Sequence, residues 1–173
     1  MSAFFKLRDL IRPPAEVLQD VGLKPGMQVL DFGCGPGSFA LEAAKRVGPS
    51  GRVYAVDRLA LAVERVCRKG SRQGLANLEA IQTDGATGLE DESIDLVLLF
   101  DIFHSLDHPE RILEEICRVL KPTGGLWVSD HHLKADEIGS GVGGAGPVVF
   151  SERRGDLFRF DKAADTLSRP MST

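Results

Sequence analysis

The sequence predicts an α/β fold: a mostly parallel sheet with helices on both faces, closed by an antiparallel hairpin at its C-terminal end. Three observations carry this. Short β-rich runs alternate with helical patterns from Gln28 to Asp130, the arrangement that produces parallel strands joined by crossover helices. The runs VLDFG, VYAVD and IDLVLLF are almost continuously apolar, as strands covered on both faces must be. After Pro147 the pattern changes to VVFSERRGDLFRF, which reads as two strands with a turn near Arg154 and Gly155.

Taken in order, QVLDFG opens the sheet and leads through a glycine-rich turn into the helical run SFALEAAKRVG. RVYAVD and LALAVERVCRKGSRQG form the next strand and helix, LEAIQTD the third strand, and IDLVLLFD a fourth whose apolar run places it at the sheet's centre. From Pro109, the residues Ile112, Leu113, Ile116, Val119 and Leu120 recur at helical spacing, with Glu114, Glu115 and Arg118 largely on the opposite side. Asp107 is expected to cap this helix, with Pro109 in the first turn and Glu110 completing a capping box. Lys121 and Pro122 end it, and Gly124 and Gly125 turn the chain into GGLWVSD. Beyond His132 the segment KADEIGSGVGGAG promises only a turn or two of helix before glycines dominate.

A chain of 173 residues is long enough for one packed core and short for two. The expected organisation is one domain over 1–162, with a helical segment over 1–24 placed to cover the site. AADTLSRPMST has no packing pattern, so 163–173 is expected to be a flexible tail. A formal charge of -4 offers no basic field for a phosphate backbone, so nucleic acid is disfavoured as a partner. The local run Arg65, Arg68, Lys69 and Arg72 reads as the solvated face of a helix. Cys34, Cys67 and Cys117 include no CxxC pair, and the opening SAFFKLRDLIRPP is too short and charged for a signal core or a membrane span. A reducing, cytoplasmic setting is expected.

The stretch VLDFGCGPGSFALEAA carries Gly33, Gly35 and Gly37 between a strand and a helix. Such a turn lets a ligand approach the backbone at the carboxyl edge of the sheet. The spacing is GxGxG rather than the GxGxxG of dinucleotide sites, and no GK[ST] follows as in a P-loop. Asp31, two residues before Gly33, would repel a pyrophosphate and suits a ligand carrying an ammonium and a sulfonium. Asp57 ends the second strand, where a carboxylate can accept from both hydroxyls of a ribose. Asp84 and Gly85 end the third strand in QTDG, within reach of an adenine amino group.

With VLDFGCGPGSF, VYAVD, IQTDG, IDLVLLFDIFHSL and RVLKPTGGLWVSD in that order, the chain resembles class I S-adenosylmethionine-dependent methyltransferases over about Gly26 to Asp130. It is most similar to the group containing quinone C-methyltransferases and many small-molecule methyltransferases. The resemblance implies a Rossmann-like seven-stranded sheet with one reversed strand, and S-adenosylmethionine as cofactor with S-adenosylhomocysteine as product. It sets Asp31, Gly33, Gly35 and Gly37 around the methionine portion, Asp57 on the ribose with Arg58 and Leu59 beside it, and Asp84 and Gly85 at the adenine. Phe100 would line the passage to the methyl group, and Cys34 has no redox role.

Methyl transfer from a sulfonium needs an in-line nucleophile, and positioning alone can supply roughly 7 to 11 kcal/mol of the barrier. A separate base is therefore dispensable for some acceptors. Where the acceptor must lose a proton, the candidates beyond the fourth and fifth strands are His104, Asp101 and His131, with Asp130 and His132 beside them. Adjacent His131 and His132 would diverge in an extended segment, so no metal is expected. Cys67 and Cys117 fall on helices away from the active edge, which argues against arsenic chemistry. A small-molecule acceptor is expected, with a protein partner or second copy completing an otherwise sparsely lidded pocket. The alternatives are a non-catalytic cofactor-binding module acting with a partner and, less favoured, a nicotinamide-dependent oxidoreductase.

Overall fold

The computed structural model describes residues 13–163. Seven strands form one sheet: β1 (Gln28–Phe32), β2 (Arg52–Asp57), β3 (Leu78–Gln82), β4 (Ile94–Phe100), β5 (Leu120–Ser129), β6 (Val148–Arg154) and β7 (Leu157–Lys162). Their order across the sheet is β3-β2-β1-β4-β5-β7-β6. The first five are parallel, and β7 runs antiparallel to both β5 and β6. The reversed strand therefore lies second from the edge, and β4 occupies the middle as its apolar run demands. Residues 1–12 and the tail beyond Ala163, on which the N-terminal and flexible-tail expectations largely rest, lie outside the described residues.

Helices α1 (Pro14–Asp20), α2 (Ser38–Val47) and α3 (Ala60–Arg72) cover one face, and α4 (Pro109–Val119) and α5 (Ala135–Ala145) the other. The alternation of β4 divides the core between them. Leu96, Leu98 and Phe100 pack with Phe39, Ala40 and Val66, while Val97 and Leu99, joined by Ile94 from before the strand's irregularity, pack with Ile112, Leu113 and Ile116. Burying a leucine of this kind is worth roughly 1.5 to 3 kcal/mol, so both layers are anchored on the same strand. Among the described residues no helix is long and apolar enough to cross a membrane.

Three local expectations are corrected. The N-cap of α4 is His108, because Pro109 takes the first helical position, and no side-chain cap forms. Asp107 instead forms an ion pair with Arg58 at 3.7 Å, and Glu110 lies 3.4 Å from His108. Strand β5 begins at Leu120, earlier than the glycine pair suggested. Ile94 pairs with Leu120 and Leu96 with Gly125, so Lys121 to Gly124 are accommodated as an irregularity inside the strand. Helix α5 persists for 11 residues despite its glycines. Its Ile138 and Val142 are buried one turn apart, and Glu137 accepts the Lys134 backbone N–H at 2.7 Å. A Cβ on Gly141 would come within 3.1 Å of the Phe103 ring, and one on Gly146, just past the helix, within 2.5 Å of the Leu113 Cβ. The residues that weaken the isolated helix thus let it lie close against its neighbours.

A partly buried polar cluster fastens the β3–β4 loop to α4. Glu115 accepts the Thr87 N–H at 2.7 Å and the Thr87 hydroxyl at 2.6 Å, and Arg118 donates to both of its oxygens at 2.8 Å. Arg118 also reaches Asp91 in the same loop. The Arg118 guanidinium and the Thr87 donors hold the Glu115 carboxyl at about 2, below its ordinary value of 4.5.

Two outcomes follow from this packing. Gly146→Ala drives a methyl group into Leu113, and its urea midpoint should show a loss of about 1 to 3 kcal/mol; unchanged stability would mean that α4 and α5 are not in close contact. Because the folded-state pKa of Glu115 is depressed, its contribution is complete above pH 4.5 and is lost as pH falls toward 2. The Tm advantage of the wild type over Glu115→Gln should therefore shrink across that window, and a constant gap would contradict the assignment.

Candidate active site

The glycine loop leaves β1 with Gly33, Gly35 and Gly37 at φ of 81°, 50° and 82°, left-handed angles that a side chain resists. Its backbone donors are all engaged within the chain. Gly33 N–H and Cys34 N–H both reach the Val56 carbonyl, at 2.8 and 2.9 Å, and Gly37 N–H reaches the Cys34 carbonyl at 2.9 Å. Gly35 N–H donates to Asp57 Oδ2 at 2.9 Å, and Pro36 has no N–H to offer. The loop is thus tied to the end of β2. A Cβ on Gly33 would lie 2.2 Å from the end of Ile102, and one on Gly37 2.7 Å from Val66, so close packing as well as φ selects glycine.

Lys69 adds a support that sequence reading missed. Its ammonium donates to the Pro36 carbonyl at 2.7 Å, so one member of the basic run turns back to the loop while Arg68 and Arg72 face solvent. The available signal was its position three residues after Val66, which puts it toward the same neighbour. Cys34 is buried in the loop, and burial, with Asp31 and Asp57 adding to it, pushes its thiol far above the ordinary range. Burial likewise pushes Cys117 up to about 11. Both remain thiols at neutral pH, and Cys67 is exposed on α3.

Beside the loop runs a groove of about 1090 Å³ along the carboxyl edge of the sheet. Gly33, Gly35, Asp57, Arg58, Leu59, Asp84, Gly85 and Phe100 all line it. Asp31 and Gly37 do not: Asp31 is 3% exposed beneath the loop, and Gly37 meets α3 as described. Asp57 Oδ1 accepts the Leu59 N–H at 2.9 Å. With one backbone donor on each oxygen, the carboxylate keeps lone pairs for further donors, as two vicinal hydroxyls would supply. A Cβ at Gly85 would meet nothing within 4 Å, so the groove is open at that end. Ile112 from α4 adds an apolar wall there. The residues present therefore fit an adenosyl group: acceptors for its hydroxyls and amine, and an apolar flank for its base.

At the ends of β4 and β5 two histidine–carboxylate pairs cross. Asp101 follows β4 and meets His131, beyond β5, with Oδ1 2.6 Å from the ring Nδ1 and 3.1 Å from the backbone N. His104, also after β4, places Nδ1 2.8 Å from Oδ2 of Asp130 after β5. Asp130 is buried and also accepts the backbone N–H groups of His104 and His132, each at 3.0 Å. The His104 and His132 rings lie with centroids 4.1 Å apart, tilted by 40° to each other. The structure thus brings all five proton-transfer candidates to one end of the sheet, four of them as two separate pairs and His132 beside the His104–Asp130 pair. Among the described residues no group of three or more His, Cys, Asp or Glu side chains is arranged to hold a metal ion.

A family model described as a methyltransferase domain matches residues 23–143. A ubiquinone/menaquinone biosynthesis C-methyltransferase from Laribacter hongkongensis is 34% identical over 115 residues, 64% of this chain and 46% of that protein. The demethylmenaquinone methyltransferase of Lactococcus lactis is 32% identical over 121 residues, 69% of this chain and 47% of that protein. The chain spans under half the length of the curated relatives it matches. Among solved structures, a SAM-dependent methyltransferase from Aquifex aeolicus superposes with a TM-score of 0.75 at 27% identity, covering 91% of this chain and 95% of that one. By sequence and by fold, the chain belongs to the methyltransferase domain family, as a class I S-adenosylmethionine-dependent type related to the quinone and small-molecule methyltransferases.

Proposed function

We propose that this protein binds S-adenosylmethionine in the groove and transfers its methyl group to a small-molecule acceptor, leaving S-adenosylhomocysteine. The observation that carries this reading is the hydrogen bonding of the glycine loop. In a phosphate site, loop N–H groups point at the ligand. Here all four from Gly33 to Gly37 are spent on Val56, Cys34 and Asp57, and carboxylates rather than cations stand at the ends of β1 and β2. At the loop itself a diphosphate would find no N–H donor that is not already engaged, which disfavours a nicotinamide cofactor. A cationic, hydroxyl-rich ligand suits the same surface.

Asp57 holds the ribose hydroxyls while keeping the loop closed through Gly35, and Leu59 is fixed beside it by the same carboxylate. Asp84 and Gly85 receive the adenine, and buried Asp31 sets a negative field beneath the methionine end. When bound, the cofactor supplies a methyl carbon made electrophilic by the sulfonium. The chain then contributes orientation, with Phe100 bordering the acceptor side. Proton removal, where an acceptor requires it, falls to the histidine–carboxylate pairs at the ends of β4 and β5. Arsenite fits poorly as an acceptor, since two of the three thiols are buried.

Calorimetry with S-adenosylhomocysteine tests the reading directly. Saturable one-to-one binding is expected, and NADH should give none. Asp57→Ala should weaken that binding by about 2 to 4 kcal/mol, the value of one or two charge-assisted hydrogen bonds. An affinity that survives the substitution would remove Asp57 from the site, and silence from the wild type would defeat the function.

A further inference from the structure

Helix α3 carries a surface that the groove does not use. Leu61, Arg65, Arg68 and Arg72 follow one another at steps of four, three and four residues along Ala60–Arg72, so the helical repeat sets them in one row about 16 Å long. The buried residues Ala62, Val66 and Gly70 form a separate row, with Val66 against the glycine loop and Gly70 against Leu78 of β3. Leu61 is 63% exposed, and Leu59, the N-cap of the helix, is 47% exposed. Among the described residues, the other large apolar side chains that stand exposed are Val149 and Phe150, on β6.

The arginines of this row have no use inside the fold. Among the described residues, none of Arg65, Arg68 and Arg72 forms an ion pair or a side-chain hydrogen bond, whereas Arg46, Arg52, Arg118 and Arg159 each hold a carboxylate. Glu64, the acidic residue of α3, lies beside the row and pairs with none of it. Lys69 belongs elsewhere, since its ammonium is turned to the Pro36 carbonyl at 2.7 Å. Arg72, in the last turn, suits the negative end of the helix. Arg65 and Arg68 stand too far back for that use.

We propose that this flank of α3 docks on an anionic lipid surface, with Arg65, Arg68 and Arg72 on the headgroups and Leu59 and Leu61 entering the acyl boundary. The formal charge of the whole chain is -4, so an anionic surface repels most of the molecule and attracts this row, which fixes the orientation of approach. A phosphodiester backbone would occupy the arginines and leave both leucines in water. A bilayer interface takes cations and apolar side chains at adjoining depths. No helix among the described residues is long and apolar enough to span a membrane, and this attachment needs none. Three cations and two leucines give reversible binding that salt screens, and each arginine near the surface is worth about fivefold in partitioning. Arg58 and Leu59 also line the groove, so docking brings the groove's rim to the lipid. On the methyltransferase reading, an apolar acceptor then enters from the bilayer; the docking itself stands apart from that reading.

Co-sedimentation of the full chain with vesicles tests the proposal. The protein should pellet with phosphatidylcholine and phosphatidylserine mixed in equal parts, stay in solution with phosphatidylcholine alone, and leave the charged vesicles as salt is added. Arg65→Gln, Arg68→Gln and Arg72→Gln together should lower the partition coefficient about a hundredfold, while lysine at the same three positions should keep it. Should the triple glutamine variant fail to fold, Arg68→Glu alone should lower partitioning about 25-fold. Leu61→Ser should lower it several-fold and leave the salt dependence in place. A wild type that does not pellet, or binding that survives the loss of the arginines, overturns the proposal. So does a loss with the arginines but none with Leu61→Ser, the pattern that assigns the row to a nucleic acid or an acidic protein. Calorimetry with S-adenosylhomocysteine should give the wild-type affinity in every folded variant. Its failure in the wild type would defeat the methyltransferase reading, and the vesicle result would still decide the docking face.

Discussion

The Asp57 carboxylate joins two parts of the chain that must be held together before any groove exists. One oxygen takes the Gly35 N–H of the first turn and the other the Leu59 N–H at the entry to α3. A turn with three left-handed glycines has much conformational freedom to lose, and this bond, with the two N–H bonds to the Val56 carbonyl, fixes it against the neighbouring strand. The same group then faces the groove. The carboxylate that closes the loop is thus also part of the groove's wall.

The fold was largely legible because its signals are physical necessities. A strand covered on both faces must be apolar throughout, and β4 reads that way and lies in the middle of the sheet. The hairpin was legible from two short runs around Gly155. At the site, Asp57, Asp84 and Phe100 could be placed at one edge because each lies at or just beyond a strand end, and parallel strands deliver such residues to the same side.

What escaped depends on tertiary packing. Helix α5 is weak by propensity, and its glycines make sense only when Phe103 and Leu113 are known to press against them. Asp107 has the composition of a cap, but Pro109 moves the helix start by one residue and frees the carboxylate for Arg58. The partners of Lys69 and Glu115 are 33 and 28 residues away in sequence, beyond any local pattern. The candidate histidines were visible, but the pairing of His104 with Asp130 and of His131 with Asp101 appeared only with the loops in place.

The Arg58–Asp107 contact joins the tip of β2 to the residues that lead into α4. Both side chains are mostly solvated, at 64% and 84% exposure, and exposed pairs of this sort are weak and easily screened. Such a clasp cannot act as a thermodynamic gatekeeper. The place of α4 beside the cleft is consequently set by its buried face, Ile112, Leu113 and Ile116, and not by this bridge.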